Sequence, residues 1–331
     1  MRLRKHLHLM LCLLALSAGP TTACDLCAIY TAEFAEGASG AGFYAGVSEQ
    51  YTAFNDVFED GHRIDNPEGQ SLDSYFTQLA FGYRSGHSWS LQVNLPYIDR
   101  NFRRIEGEHL ERGSESGIGD ISLLGSYQLF GRKTESGGIS WQVLAGLEFG
   151  SGDSDRIAEE LDEEHHDEGG AVAKSGGDEH GTASAVHGHD LALGNGATDI
   201  ILGSSLRWHH RRWLGDAWFQ HAIRARGDFG YDYANDTHWG ISAGRYLHLG
   251  HRNSVALLLD LSGETKGEDD LAGSVLDDTA ARSVLLGPSL RVNLGERSAF
   301  EIGAAWRSSG GNSGVQMLPD YRLRASVNLR F

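Results

Sequence analysis

Five histidines, His165, His166, His180, His187 and His189, fall in one acidic stretch that also carries Glu164 and Asp167. Imidazole nitrogens and carboxylate oxygens are the ordinary donors to zinc, copper and nickel, so this stretch is the candidate site for a divalent transition metal. His187-Gly188-His189 offers two ring nitrogens across one glycine. Gly169-Gly170-Ala171 and Gly176-Gly177 predict a pliable loop able to wrap an ion. The spacing matches no closed structural zinc site, however, and the competing reading is a solvated acidic loop that repels its neighbours. Twelve carboxylates stand between Ser151 and Gly194 against only Arg156 and Lys174, which leaves −10 of the chain's −17 in that segment. Such a surface excludes nucleic acid as a partner. The chain requires no cofactor, and zinc or copper at this loop is the one that its residues offer.

A second chemical pair is Cys24-Asp25-Leu26-Cys27. No histidine follows Cys27, so this is not a haem attachment site, and two thiolates alone do not complete a tetrahedral zinc site. A local disulfide, metal capture or redox exchange, and lipidation of Cys24 remain the alternatives. Thr21 stands where a lipoprotein signal prefers leucine, which weakens the last.

The element that positions the remaining charged groups is clearest at the C-terminus. Tyr321, Leu323, Ala325, Val327, Leu329 and Phe331 alternate with Arg322, Arg324, Ser326, Asn328 and Arg330. Period-two alternation makes a strand with one oily and one wet face. A strand of this length crosses a bilayer at a tilt, and its arginines must then face a watery lumen, because arginine facing lipid at the midplane costs roughly 2–4 kcal/mol. The same parity predicts that Arg224, Arg226, Arg291, Arg322 and Arg324 form a basic lumenal strip. Asp120, Gln142, Glu148, Asp199, Asp228, Asp260 and Glu301 are expected on the same inner surface. The closing Phe331 resembles the C-terminal signal read by the barrel assembly machinery.

The N-terminus agrees with export. Arg2, Arg4 and Lys5 precede the apolar run Leu9–Leu16, and Thr21-Thr22-Ala23 offers a cleavage site. No segment approaches eighteen consecutive apolar residues, so a membrane role must come from strands. Residues 1–23 are therefore expected to be a signal peptide and 24–40 a periplasmic segment. Residues 41–331 are expected to form an all-β transmembrane antiparallel barrel, with 151–196 as an extracellular loop.

Twelve alternating segments support that barrel: roughly 42–54, 72–85, 88–99, 118–130, 138–150, 197–210, 216–232, 237–249, 252–262, 282–294, 297–309 and 320–331. Short turns follow the even strands. Long loops follow the odd ones, at 55–71, 100–117, 151–196 and 263–281, and only the connection near 233–236 is short on that side. Short periplasmic turns and long outer loops, with both termini periplasmic, are the arrangement of outer-membrane barrels in Gram-negative bacteria.

Ser116-Gly117-Ile118-Gly119-Asp120, then Phe149-Gly150-Ser151-Gly152-Asp153, then Leu193-Gly194-Asn195-Gly196 together resemble the outer-membrane family named for the MetA pathway of phenol degradation. The family's proline before the second motif is missing, and an acidic insertion separates the last two. The resemblance implies a barrel passing small organic molecules and supplies no catalytic residues. Three function classes follow: a channel or uptake protein for small molecules or metal ions, a non-conducting structural or metal-binding barrel, and a barrel enzyme such as a lipase. The last lacks support, because the one convincing lipid-facing histidine, His221, has no serine in reach along its strand.

Overall fold

Period-two alternation leaves a strand stable only when its two faces meet different surroundings, and here it closes into a cylinder. The computed structural model describes residues 41–86, 88–107, 109–161, 183–295 and 297–331. Twelve antiparallel strands form the wall. They are β1 (Gly42–Phe54), β2 (Ser71–Ser85), β3 (Trp89–Glu106), β4 (His109–Ile118, resuming after a break as Ile121–Thr134), β5 (Gly137–Phe149) and β6 (Thr198–His210), then β7 (Trp213–Ile223), β8 (Asp236–Leu249), β9 (Asn253–Lys266), β10 (Ala281–Leu294), β11 (Ser298–Asn312) and β12 (Tyr321–Arg330). β1 pairs with β2 on one edge and β12 on the other, from Tyr44 opposite Arg330 to Ala53 opposite Tyr321, so no edge is left open. The N–H of Phe331 extends the seam by donating to the carbonyl of Phe43 at 2.9 Å.

The outer face is apolar and uncovered. Phe43, Ile118, Leu259 and Ile302 are each more than half exposed, which in water would be an aggregation surface and in a bilayer is the lipid belt. Aromatic clusters mark both rims: Phe43, Tyr83 and Trp89 at the end bearing the short turns, and Tyr51, Tyr75 and Tyr321 at the other. Inward positions carry the polar and charged side chains. The twelve strands and the outward Phe331 match the sequence reading, and the alternation of loop lengths holds except between β3 and β4.

Three boundaries differ from it. Residues 100–117 are not a loop: β3 and β4 continue as a paired hairpin, with Arg100 opposite Glu115 and Glu106 opposite His109. β7 ends at Ile223 rather than running to 232. The chain then turns through Asp228–Gly230, where Phe229 takes a φ of 59° and Gly230 one of 74°, a left-handed step that strands do not tolerate. The connection after β7 consequently spans 224–235 and is long, like those after β1, β5 and β9. The expected signal peptide, the 24–40 segment, Cys24 and Cys27 lie outside the described residues, as do Glu164, His165, His166, Asp167 and His180.

Candidate functional site: the outer mouth and lumen

The three glycine-rich motifs meet at one point, where β4 breaks. Asp120 is the hub. Its Oδ1 accepts from the N–H groups of Ser151 (2.9 Å) and Gly152 (2.8 Å), and its Oδ2 accepts from that of Asn195 at 3.0 Å. The carbonyl of Asp153 accepts from Leu193 (2.8 Å) and Gly194 (3.0 Å), so the two ends of the 150–197 connection are clamped together. Gly194 is required there, because a Cβ would lie 2.5 Å from Asp120 Oδ1 and 2.7 Å from the Cα of Gly152. Gly196 sits at φ +72° beside Asp228. Asp120→Ala should leave three N–H groups without their acceptor, at about 1–3 kcal/mol for each that water cannot reach. Limited proteolysis should then cut within 183–195 faster than in the wild type, and Asp120→Asn, which keeps one acceptor oxygen, should fall between.

Beyond this clamp the connection turns inward. Leu193 packs on Phe76, Ile98, Leu124 and Ile201, which are lumen-facing residues of β2, β3, β4 and β6. Ala185, Val186 and Leu191 bury against Phe54, Leu72 and Phe102 at the tops of β1, β2 and β3. Ile157 and Ala192 pack on Tyr231, Tyr233 and Leu271 from the opposite side. Arg100, 2% exposed, donates from Nη1 to the carbonyls of Asp190 and Ala192, the latter at 2.8 Å. Arg156 reaches Glu115 and Glu159. The described ends of this connection therefore pack into the mouth of the barrel at its long-loop end instead of standing in solvent.

That placement corrects the reading of His187 and His189 as part of a surface loop. His187 and His189 are buried, 8% and 2% exposed, at the start of the one-turn helix Gly188–Leu191. His189 Nδ1 lies 2.9 Å from Glu160 Oε1, and its Nε2 lies 3.5 Å from Asp190 Oδ1. Its ring stacks between those of His187 and Tyr231. Burial disfavours the charged imidazole, but the carboxylates of Asp190 and Glu160 outweigh it and hold His189 up at about 9. Glu160 is likewise held down to about 2, with His189 overcoming the burial of the carboxylate. Tyr231 donates to Asp269 Oδ2 at 2.5 Å, and Lys266 pairs with the same carboxylate. Glu160 and Asp190 were missed as site residues because they read as anonymous members of an acidic run.

The lumenal arginines do not form a bare basic strip. Arg224 contacts Glu148 (2.6 Å), Asp199 (2.8 Å) and Asp236 (2.7 Å). Arg291 contacts Glu301 (2.7 Å) and Asp216 (3.4 Å), Arg322 pairs with Glu264, and Arg324 lies 3.3 Å from Asp260. Arg226 is not lumenal: it lies beyond the end of β7, its side chain is 65% exposed, and it pairs with Asp232 at 2.9 Å. Asp228 sits in the same connection and accepts from Ser154 Oγ at 2.6 Å. Cations instead gather at the other end. A cavity of 490 Å³ toward the short-turn side is lined by Arg84, Arg132, Lys133, Arg207 and Arg291, with Asp216 as its carboxylate. At mid-height Gln78, Asn94 and Ser122 are 1% exposed or less, and Gln92, Asn94 and Ser122 form a hydrogen-bonded chain.

No family model matches the chain, and no curated protein matches it in sequence. Among solved structures, the COG4313 outer membrane channel from Pseudomonas putida F1 is similar over 88% of this chain and 96% of that one, at 14% identity and a TM-score of 0.58. This likeness shows the fold, and it bears out the barrel that the glycine-rich motifs implied. The β domain of the Bordetella autotransporter BrkA aligns over 88% of this chain and 100% of its own at 12% identity and a TM-score of 0.42. A Pseudomonas aeruginosa FadL homologue aligns over 88% and 90% at 9% identity and a TM-score of 0.34. On the lipid face, His221 Nδ1 lies 2.9 Å from the Thr237 hydroxyl; among the described residues no serine is hydrogen-bonded to it.

Proposed function

We propose that this chain is an outer-membrane channel that admits small solutes, with the inward-folded connection between β5 and β6 as its gate. The observation that carries this reading is the position of Leu193, held by the Asp120 clamp against four lumen-facing apolar side chains, above a cavity that lies toward the periplasmic end. A solute entering from outside meets the gate first, then the polar mid-section, then the cationic vestibule. The solved Pseudomonas putida protein described as a channel supports the same reading.

The vestibule's five cations against one carboxylate favour anionic or strongly polar solutes over cations. Planar-bilayer recordings should therefore give a reversal potential on the anion side. Arg84→Ala/Arg207→Ala should move it toward zero, whereas Arg324→Ala, at a residue that does not line the vestibule, should leave it near the wild-type value. Anion preference unaffected by the vestibule pair would assign selectivity elsewhere. The closely packed, mutually hydrogen-bonded polar mid-section favours a second reading, a non-conducting barrel. Complete absence of conductance, with the gate present or removed, would establish that one.

A further inference from the structure

The buried histidines have a geometry that their ion pairing leaves unexplained. His187, His189 and Asp190 each place one ligand-type atom within 4.8 Å of the others. One of these separations, 3.5 Å from His189 Nε2 to Asp190 Oδ1, is what two donors bound to one zinc show, since ligand bonds of about 2.0–2.2 Å in a tetrahedron set donors about 3.3–3.5 Å apart. His187 Nδ1 lies 3.8 Å from Asp190 Oδ2 and faces the Asp190 N–H in a loose capping box, yet it completes no properly directed hydrogen bond, although the residue is more than nine-tenths buried. A buried acceptor or donor in that state normally costs stability and asks for a partner.

Glu160 adds an independent pointer. Its Oε1 takes the Nδ1 side of His189 at 2.9 Å and also accepts the His189 backbone N–H at 2.8 Å. That fixes the ring and turns Nε2 toward Asp190. A carboxylate behind the distal nitrogen of a histidine is the outer-shell arrangement that orients metal-binding imidazoles. Asp190, its side chain 27% exposed, forms the open edge through which an ion would arrive.

We propose that His187, His189 and Asp190 bind one zinc-class divalent ion inside the outer mouth, with Glu160 as the residue that positions His189. Two imidazoles and one carboxylate suit zinc, copper or nickel rather than magnesium or calcium, and the fourth position is left to water. The ion needs both imidazoles neutral, so any proton at the ligating nitrogens passes to solvent as it binds. The site needs none of His165, His166 or His180, and it stands whether or not the barrel conducts. Bound there, the ion would cross-link both ends of the Gly188–Leu191 turn and secure the connection in the mouth.

The test uses the full mature chain, refolded in detergent and carrying Cys24→Ala/Cys27→Ala to remove thiolate ligands. Cobalt(II) titration should produce the visible absorption of a four-coordinate N/O site, with one ion per chain, and zinc should displace it. His187→Ala and Asp190→Asn should each abolish that band. Asp190→Asn keeps an acceptor for the His187 N–H, so unchanged protease protection of the loop in that variant separates ligand loss from undocking. Glu160→Gln should weaken zinc binding about 10–100-fold by calorimetry. A His165→Ala/His166→Ala/His180→Ala variant should retain the band. No band in the starting protein, a band that survives His187→Ala and Asp190→Asn, or one lost in the triple-histidine variant would each overturn the site.

Discussion

Replacing residues 155–192 with a short Gly-Ser linker should raise single-channel conductance severalfold while leaving barrel assembly intact. The ends of the excised piece are already joined, because Leu193 and Gly194 donate to the carbonyl of Asp153, so the Asp120 clamp survives and the strands are not pulled apart. What disappears is the packing that seats the gate. Ile157 and Leu191 are both fully buried, and side chains of that size contribute about 1.5–3 kcal/mol each when removed from water. Ala185, Val186 and Ala192 add to that. The ion pairs of Arg156 contribute less, since all three partners are partly solvated, and exposed pairs are typically worth below about 1 kcal/mol. Apolar burial therefore dominates the closed state, and salt should alter gating only weakly. The wild type should open rarely and the excised variant persistently. Equal conductance in both would show that residues 155–192 do not obstruct the path.

Much of the wall was legible because its signal is local. Trp89, Leu91, Val93 and Tyr97 alternate with Ser90, Gln92, Asn94 and Pro96, and a membrane enforces that parity without help from distant residues. The parity signal fails where lipid ends. Past Asp99 the run Arg100, Arg103, Arg104 and Glu106 is charged on both faces, so the extension of β3 looked like a loop, although Arg100, Phe102 and Arg104 keep the inward phase of the strand. The end of β7 failed for the opposite reason. Arg224, Arg226 and Asp228 continue an alternating pattern, and only the left-handed turn at Phe229-Gly230 interrupts it.

The site was less legible than the wall, because its burial is tertiary. His187-Gly188-His189 in an acidic setting reads as solvated from its own composition. The residues that overrule this are its neighbours, Ala185-Val186 before it and Leu191-Ala192-Leu193 after it. These apolar residues find partners on five different strands and four other loops. A flanking apolar pair on each side of a polar turn was the available signal. The carboxylates that neutralise the arginines are spread across β5 to β11, and no sequence spacing relates them.

Arg224→Ala should be the most damaging single substitution in the barrel, lowering stability by about 3–5 kcal/mol. One guanidinium there serves Glu148, Asp199 and Asp236, with Nη1 shared by the first two and Nε given to the third. The three side chains are 6%, 0% and 2% exposed, so solvent does not take over when the cation leaves. Removing one member of a buried ion network costs more than the network contributes, because the charges left behind remain desolvated. Asn195 Nδ2 and the Ala225 N–H still donate to Asp199 at 2.6 and 2.8 Å, which cushions that carboxylate but leaves Glu148 and Asp236 without the guanidinium. Arg224→Lys keeps the charge and loses the fork, since a single ammonium does not reproduce the separate Nε and Nη1 contacts; its cost should be intermediate. Arg226 provides the internal control. It is the same residue type two positions on, paired with Asp232 in solvent, and Arg226→Ala should not measurably shift the midpoint. Urea unfolding of the folded protein in lipid bilayers, followed by tryptophan fluorescence, reads all three. A midpoint for Arg224→Ala equal to that for Arg226→Ala would mean that the carboxylates around Arg224 are satisfied by other groups, and that the join between β5, β6, β7 and β8 does not depend on this one cation.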